Sequence, residues 1–337
     1  MRLKSRQILI QCWLFSILIF VLPLKAQFYG VLQLEGGMAR FKRQNLHLLA
    51  RPKLQIGQNL KKQNISFKWS VLYQPEIFTL PGSTFSQRLN GQFALNSQFK
   101  NWFWGIHFRS RYQSFKIESQ SYDWQSSDLV LNLNYWQKAD FLWQGQIILW
   151  YRDTQQFDRQ TLNSNIVRLG FGKFLPWITI YPNLYFEQYK IEPRYHQANN
   201  DRGQRKGLAL RLEHNKKFLF SLDFKMLWHN KNGFTALKSE QQLDLLLAFW
   251  LRPKWALLIF AEYNNLASFS NANINVLSYQ PINTTNHLQI KLSHDLAINS
   301  ELFFRFGYEQ ENLIQPIGHW QYWQFVLGVN KSIRRVP

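Results

Sequence analysis

Cationic side chains recur at a spacing of two in the first third of the chain. His107, Arg109 and Arg111 share one parity within NWFWGIHFRSRYQ (101–113), and Trp102, Trp104, Ile106, Phe108 and Tyr112 share the other. Arg51 and Lys53 repeat the spacing, and Lys68 and Arg88 extend the set on neighbouring segments. Successive side chains of an extended strand point to opposite faces, so this spacing gathers positive charge on one wall and apolar bulk on the other. A cationic wall raises the local anion concentration and lowers the barrier to anion passage. An arginine in a dry interior without a partner is too costly, so water or carboxylates must reach these groups.

Other reactive residue types give weaker patterns. The eight histidines show no HExxH or similar metal spacing. Ser293 and His294 are adjacent in an alternating segment, so they point to opposite faces and cannot act as nucleophile and base. Asp244 and Glu262 are placed to face each other across the turn 252–254. Such a pair binds calcium or works as acid and base in some proteins, and in others simply meets water or a cation. Gly36-Gly37 reads as a bulge or bend. The expectation is a protein without cofactor, metal or catalytic set.

The elements that must carry these residues are strands. LVLNLNYW (129–136), LFSLDFKMLW (219–228), HLQIKLSHD (287–295) and ELFFRFGYE (301–309) all alternate apolar with polar residues. Sixteen such segments begin near residues 28, 44, 64, 84, 101, 128, 141, 164, 178, 206, 218, 241, 255, 286, 300 and 319. Their connections alternate in length. Short turns fall at 57–63, 99–100, 138–140, 174–177, 215–217, 252–254 and 297–299. Long connections fall at 115–127, 152–163, 189–205, 229–240 and 264–285. The last of these, rich in Asn and Ser and free of Lys, Arg, Asp and Glu, reads either as a segment folded into an interior or as a surface loop.

The N-terminus sets the compartment. A basic stretch with Arg2, Lys4 and Arg6 precedes an apolar run from Ile8 to Leu24 and a small residue, Ala26. Residues 1–26 read as a secretory signal peptide, with an uncleaved anchor as the alternative, and 27–337 as one domain. The single cysteine, Cys12, lies in that leader, so disulfides do not hold the rest together. Formal charge is +20, and +16 without the four bases of the leader. No RNP-like, zinc-finger or helix-turn-helix pattern accompanies this charge, so the sequence argues against nucleic acid as a partner. Aromatics make up 17% of the residues, yet mean hydropathy is −0.32, as alternation of apolar and polar residues produces.

An even number of alternating segments with short turns on one side and long connections on the other resembles the porin-type bacterial outer-membrane β-barrels. The resemblance is one of architecture and rests on no family motif; the chain also departs from many such barrels in ending on Arg-Arg-Val-Pro after its last aromatic, Phe325. It implies an all-β, antiparallel up-and-down transmembrane barrel of about 16 strands, within about 12–18, in the cell outer membrane. Arg51, Lys53, Lys68, Arg88, His107, Arg109 and Arg111 would then line a lumen and meet anions. The expected function is passive passage of small, preferentially anionic solutes, with export or docking of a secretion partner as the alternative. Expected partners are outer-membrane lipids, lipopolysaccharide and small anions, with a second copy of the chain or a secretion partner as further candidates. Short-turn lysines such as Lys61, Lys100, Lys138 and Lys216 would form a basic rim against lipid phosphates or simply reflect turn composition. In the four segments that carry the basic wall no inward acid is expected, and Arg88 is expected opposite Arg111 and Asn90 opposite Arg109. Inward acids are expected later, at Glu187, Glu213, Asp223, Asp244, Glu262, Asp295 and Glu309.

Overall fold

The computed structural model describes residues 26–41, 46–78, 84–117, 120–154, 160–193, 201–230, 239–264, 286–297, 299–312 and 319–335. The leader 1–25 and the connection 265–285 lie outside the described residues. The strands are β1 (Ala26–Phe41), β2 (Leu46–Ala50), β3 (Lys53–Lys62), β4 (Ile65–Phe78), β5 (Thr84–Phe99), β6 (Trp102–Ile117), β7 (Gln120–Lys138), β8 (Phe141–Thr154) and β9 (Gln160–Phe174). They continue as β10 (Thr179–Pro193), β11 (Asp201–Asn215), β12 (Leu219–Asn230), β13 (Ser239–Arg252), β14 (Trp255–Asn264), β15 (Asn286–Ala297), β16 (Ser300–Asn312) and β17 (His319–Arg335).

Apart from β2 and β3, each strand pairs antiparallel with its neighbour in sequence, and β1 closes the sheet against β17 from Phe28↔Arg335 to Phe41↔Tyr322. β2 and β3 both pair with β1 and occupy one position around the wall. They are parted at Arg51-Pro52, because proline has no N–H to give the ladder. The result is a closed barrel of 16 strand positions with no free edge. The seam explains Gly37. A Cβ there would stand 2.0 Å from the Phe325 carbonyl oxygen and 2.9 Å from the Val326 Cα, whereas one at Gly36 would meet nothing within 4 Å. The pairing runs through both glycines without a bulge, so the expected bend is replaced by a close approach of two backbones.

One rim carries tight turns. Gln63 and Lys100 adopt positive φ (48° and 51°) in two-residue turns, and Asn299 does so at 64° before β16. The strands reach farther toward the opposite rim than the alternation suggested. The connection expected at 115–127 shrinks to 118–119, and that at 189–205 to 194–200. Tyr122 and Arg202 therefore belong to β7 and β11.

The outer wall is apolar. Leu34, Leu133, Leu169, Leu208 and Leu327 are all about half exposed or more on it. Aromatics band this wall near the turn rim: Trp102 lies 4.7 Å from Tyr135, Phe218 5.7 Å from Phe249, and Trp255 4.4 Å from His294. A second band includes Tyr308 and Trp323, 5.2 Å apart, toward the loop rim. Beyond it the outward positions turn polar, at Asn163, Gln188, Gln204 and Lys206, all exposed. An apolar band between two aromatic girdles is what a bilayer requires of a barrel, which satisfies its backbone groups only by closing on itself.

Candidate functional site: the charged lumen wall

Strand alternation places the polar set inside. In β6, Trp104 and Trp102 lie on the outer wall, while His107, Arg109 and Arg111 face the lumen. His107 shares a hydrogen bond with Asn96 Oδ1 at 2.8 Å. Arg109 Nε donates to both carboxylate oxygens of Asp128, at 3.0 and 3.2 Å. Arg88, Arg109 and Arg111 border one cavity of about 350 Å³ with Gln55, Gln74, Asn90 and Gln113. Lys68 is exposed on the same face of β4, between Asn59 and Ala94 on the flanking strands. Arg51 and Lys53 border a second cavity, of about 220 Å³, that shares Gln74 and Arg88 with the first.

Two details of the expected wall are corrected. The turn between β5 and β6 is Lys100-Asn101, with Phe99 opposite Trp102. Arg88 therefore stands opposite Gln113, Asn90 opposite Arg111, and Gln92 opposite Arg109. Moving a turn by one residue moves the register by two, which keeps every side chain on its face but changes its partner. The wall also contains acid. Glu76 on β4 is buried between Arg51, whose guanidinium it contacts directly, and Arg88, at 3.4 Å. Glu35 on β1 takes Arg51 at 3.5 Å and also Arg305. Both glutamates share parity with lumen residues on their strands. That parity was present in the sequence, but Glu76 stands near the end of β4, where alternation is faint.

The far side of the barrel is mixed. Arg205 lies between Glu187, at 2.7 Å, and Glu240, and His229 Nε2 lies 3.2 Å from Glu240. Tyr185 donates to Glu187 at 2.7 Å. Glu240, expected in a loop, is a fully buried strand residue. Asp244 does face Glu262, and it also faces Asp223 on its other side. Lys225 lies 3.8 Å from Asp223 and 3.9 Å from Asp244, and His287 lies 3.0 Å from Glu262. Asp223 and Asp244 therefore share Lys225, and Glu262 meets His287. Ser293 faces inward, toward the Ala256 carbonyl, and His294 stacks outward on Trp255.

The inward side chains are most deeply buried toward the loop rim. Inward side chains toward the loop rim, including Ala39, Ser86, Arg152, Leu162, Glu240 and Gln324, are no more than 1% exposed. Toward the turn rim, Lys68 and Asp295 are exposed, whereas Leu142 and Phe303 are buried. On that rim Asp140, in the turn 139–140, is hydrogen-bonded by Lys173, and this bond holds its carboxyl below the usual value.

No family model matches the chain, and comparison with curated proteins finds no match. Solved structures share its architecture. CdiB from Acinetobacter baumannii matches with a TM-score of 0.56 and 11% identity, over 92% of this chain and 60% of its own. The fold is that of an outer-membrane β-barrel. This barrel spans about three-fifths of the CdiB chain. Acinetobacter baumannii OccAB4 matches with a TM-score of 0.48 and 10% identity, over 92% of this barrel and 98% of its own chain. The TodX deltaS2S3 mutant monoaromatic hydrocarbon channel matches at 0.47 and 9%, over 92% and 91%. The apolar girdled wall and the polar interior place the barrel in the cell outer membrane.

Proposed function

We propose that the barrel is a non-enzymatic channel for passive passage of small solutes, preferentially anions. The observation that carries this reading is the run of Lys68, Arg88, Arg109 and Arg111 along three adjacent strands, with Arg88, Arg109 and Arg111 around one water-sized-to-solute-sized cavity. Glu76 and Asp128 offset part of this charge, and Lys68 and Arg111 add to what remains. A positive wall in a narrow aqueous space favours anions at entry and along the path.

Single-channel recording in planar bilayers tests the reading. A constitutive conductance with chloride preferred over potassium supports it, and a folded barrel that never conducts refutes it. The second reading is a barrel that exports a polymer or docks a secretion partner. It draws on the buried ring of inward side chains toward the loop rim, since a barrel packed there would open only with a partner. A silent barrel that conducts on addition of a partner would favour it.

A further inference from the structure

The second cavity differs from the first in how its charges are held. Four cations border it: Arg51, Lys53, Arg88 and Arg305. Glu35 borders it as well, and Glu76 sits behind Arg51 and Arg88. The group retains an excess of positive charge after both carboxylates are counted. Lys53 is the clearest source. Among the described residues it has no carboxylate within ion-pair distance, and its electrostatic neighbours are Glu35, Lys291 and Arg305. Lys291 is itself held by Glu301 at 2.7 Å.

The rest of the lining is polar throughout. Gln33, Gln74 and Gln289 supply amide groups, and His287 supplies an imidazole. Among the described residues, no apolar side chain borders the space. Its volume, about 220 Å³, suits a compact solute rather than an extended one. The three arginines are held in place by carboxylates: Arg51 by Glu35 and Glu76, Arg88 by Glu76, and Arg305 by Glu35. Preorganised donors of this kind bind an anion without the cost of assembling the site.

We propose that this cavity is a binding site for a compact, strongly hydrated oxyanion of the phosphate or phosphate-monoester class, in which Lys53 and Arg305 hold the charge and the glutamine amides replace its water. The proposal rests on the channel reading for its biological use, but the site itself does not require that ions cross the barrel. Arg88 borders both cavities, so an anion leaving this site meets the larger basic cavity next. Aromatic or aliphatic carboxylates fit poorly, because none of the described residues lining the space offers an apolar side chain to receive their hydrocarbon part.

The test uses the purified full-length barrel in detergent, with inorganic phosphate, sulfate and benzoate as probes. Isothermal titration measures binding, and block of the chloride current in planar bilayers measures access from the channel. Phosphate should bind saturably and reduce chloride current. Benzoate should bind at least tenfold more weakly. Lys53→Gln should weaken phosphate binding about tenfold, and Lys53→Arg should restore most of it. Lys217→Gln, on the turn rim, should leave binding unchanged. Strand content by circular dichroism and the heat-dependent shift in gel mobility confirm that each variant is folded. Chloride conductance without phosphate binding overturns this inference and leaves the channel reading standing. Phosphate binding without conductance supports the site and refutes the channel. Benzoate binding equal to phosphate, or Lys53→Gln binding as wild type, overturns the assignment of ligand class and residue. Sulfate binding as tightly as phosphate sets the class at tetrahedral oxyanions and excludes a phosphate-specific site.

Discussion

Arg205 and Glu187 meet inside the barrel with Nη2 and Oε2 2.7 Å apart, and neither side chain is more than 4% exposed. Glu240 takes the other side of the same guanidinium. Removing Arg205 leaves two buried carboxylates without the cation they share, and breaking a buried pair in this way costs about 3–5 kcal/mol. Arg205→Gln should therefore lower the thermal unfolding midpoint of the detergent-solubilised barrel clearly. Arg211→Gln, which breaks the exposed pair with Glu213, should change stability by about 0–1 kcal/mol. Equal effects of the two changes would show that the Arg205 cluster does not staple the strands.

The seam between β1 and β17 gives a sharper contrast. Gly37→Val places a side chain where the Phe325 carbonyl already stands, so closure of the barrel should fail or slow and folded yield should drop severalfold. Gly36→Val adds its side chain to open space on the apolar face and should fold as the parent does. Gel mobility before and after heating reads the folded fraction. A Gly37→Val barrel that folds in full yield would show that the two backbones can separate there at little cost.

Orientation in the membrane follows from the short turns. Bacterial barrels keep short turns on the periplasmic side. With Cys12 replaced, cysteines introduced at Lys206 and Gln241, near the loop rim, should react with an impermeant maleimide on intact cells. Cysteines at Lys100 and Lys216, on the turn rim, should react only after permeabilisation. The reverse pattern would invert the barrel.

Most of the architecture was legible in the sequence, because period-two alternation reports directly on a wall with lipid on one side and water on the other. The starts of β5, β8, β14, β15, β16 and β17 coincide with the positions the alternation gave. β7 begins eight residues earlier than expected, since in Gln120–Ser127 the aromatics Tyr122 and Trp124 stand on the opposite parity to Leu129–Tyr135, and the stretch is held by pairing with β6. The lumen face of His107, Arg109 and Arg111 was also legible. Their partners were not. Alternation fixes which way a side chain points, whereas turn length fixes what it meets, and Lys100-Asn101 could not be told from Phe99-Lys100 by pattern alone. Glu76 and Glu240 escaped for a related reason: near a strand end, parity still holds but nothing in the local sequence says the strand continues. The connection 264–285, read as a segment that constricts the lumen or as a surface loop, lies at residues 265–285 outside the described residues.

The central claim is that the basic wall sets ion preference. It is tested most directly by the reversal potential of the reconstituted barrel in a potassium chloride gradient, compared with the triple variant Arg88→Gln, Arg109→Gln and Arg111→Gln. Glutamine stays polar in a wet lumen, and the change also uncovers Glu76 and Asp128. The parent should reverse near the chloride potential, and the variant should shift clearly toward the potassium potential while remaining folded. A parent that reverses near the potassium potential, or a folded variant whose reversal potential does not move, would contradict the account.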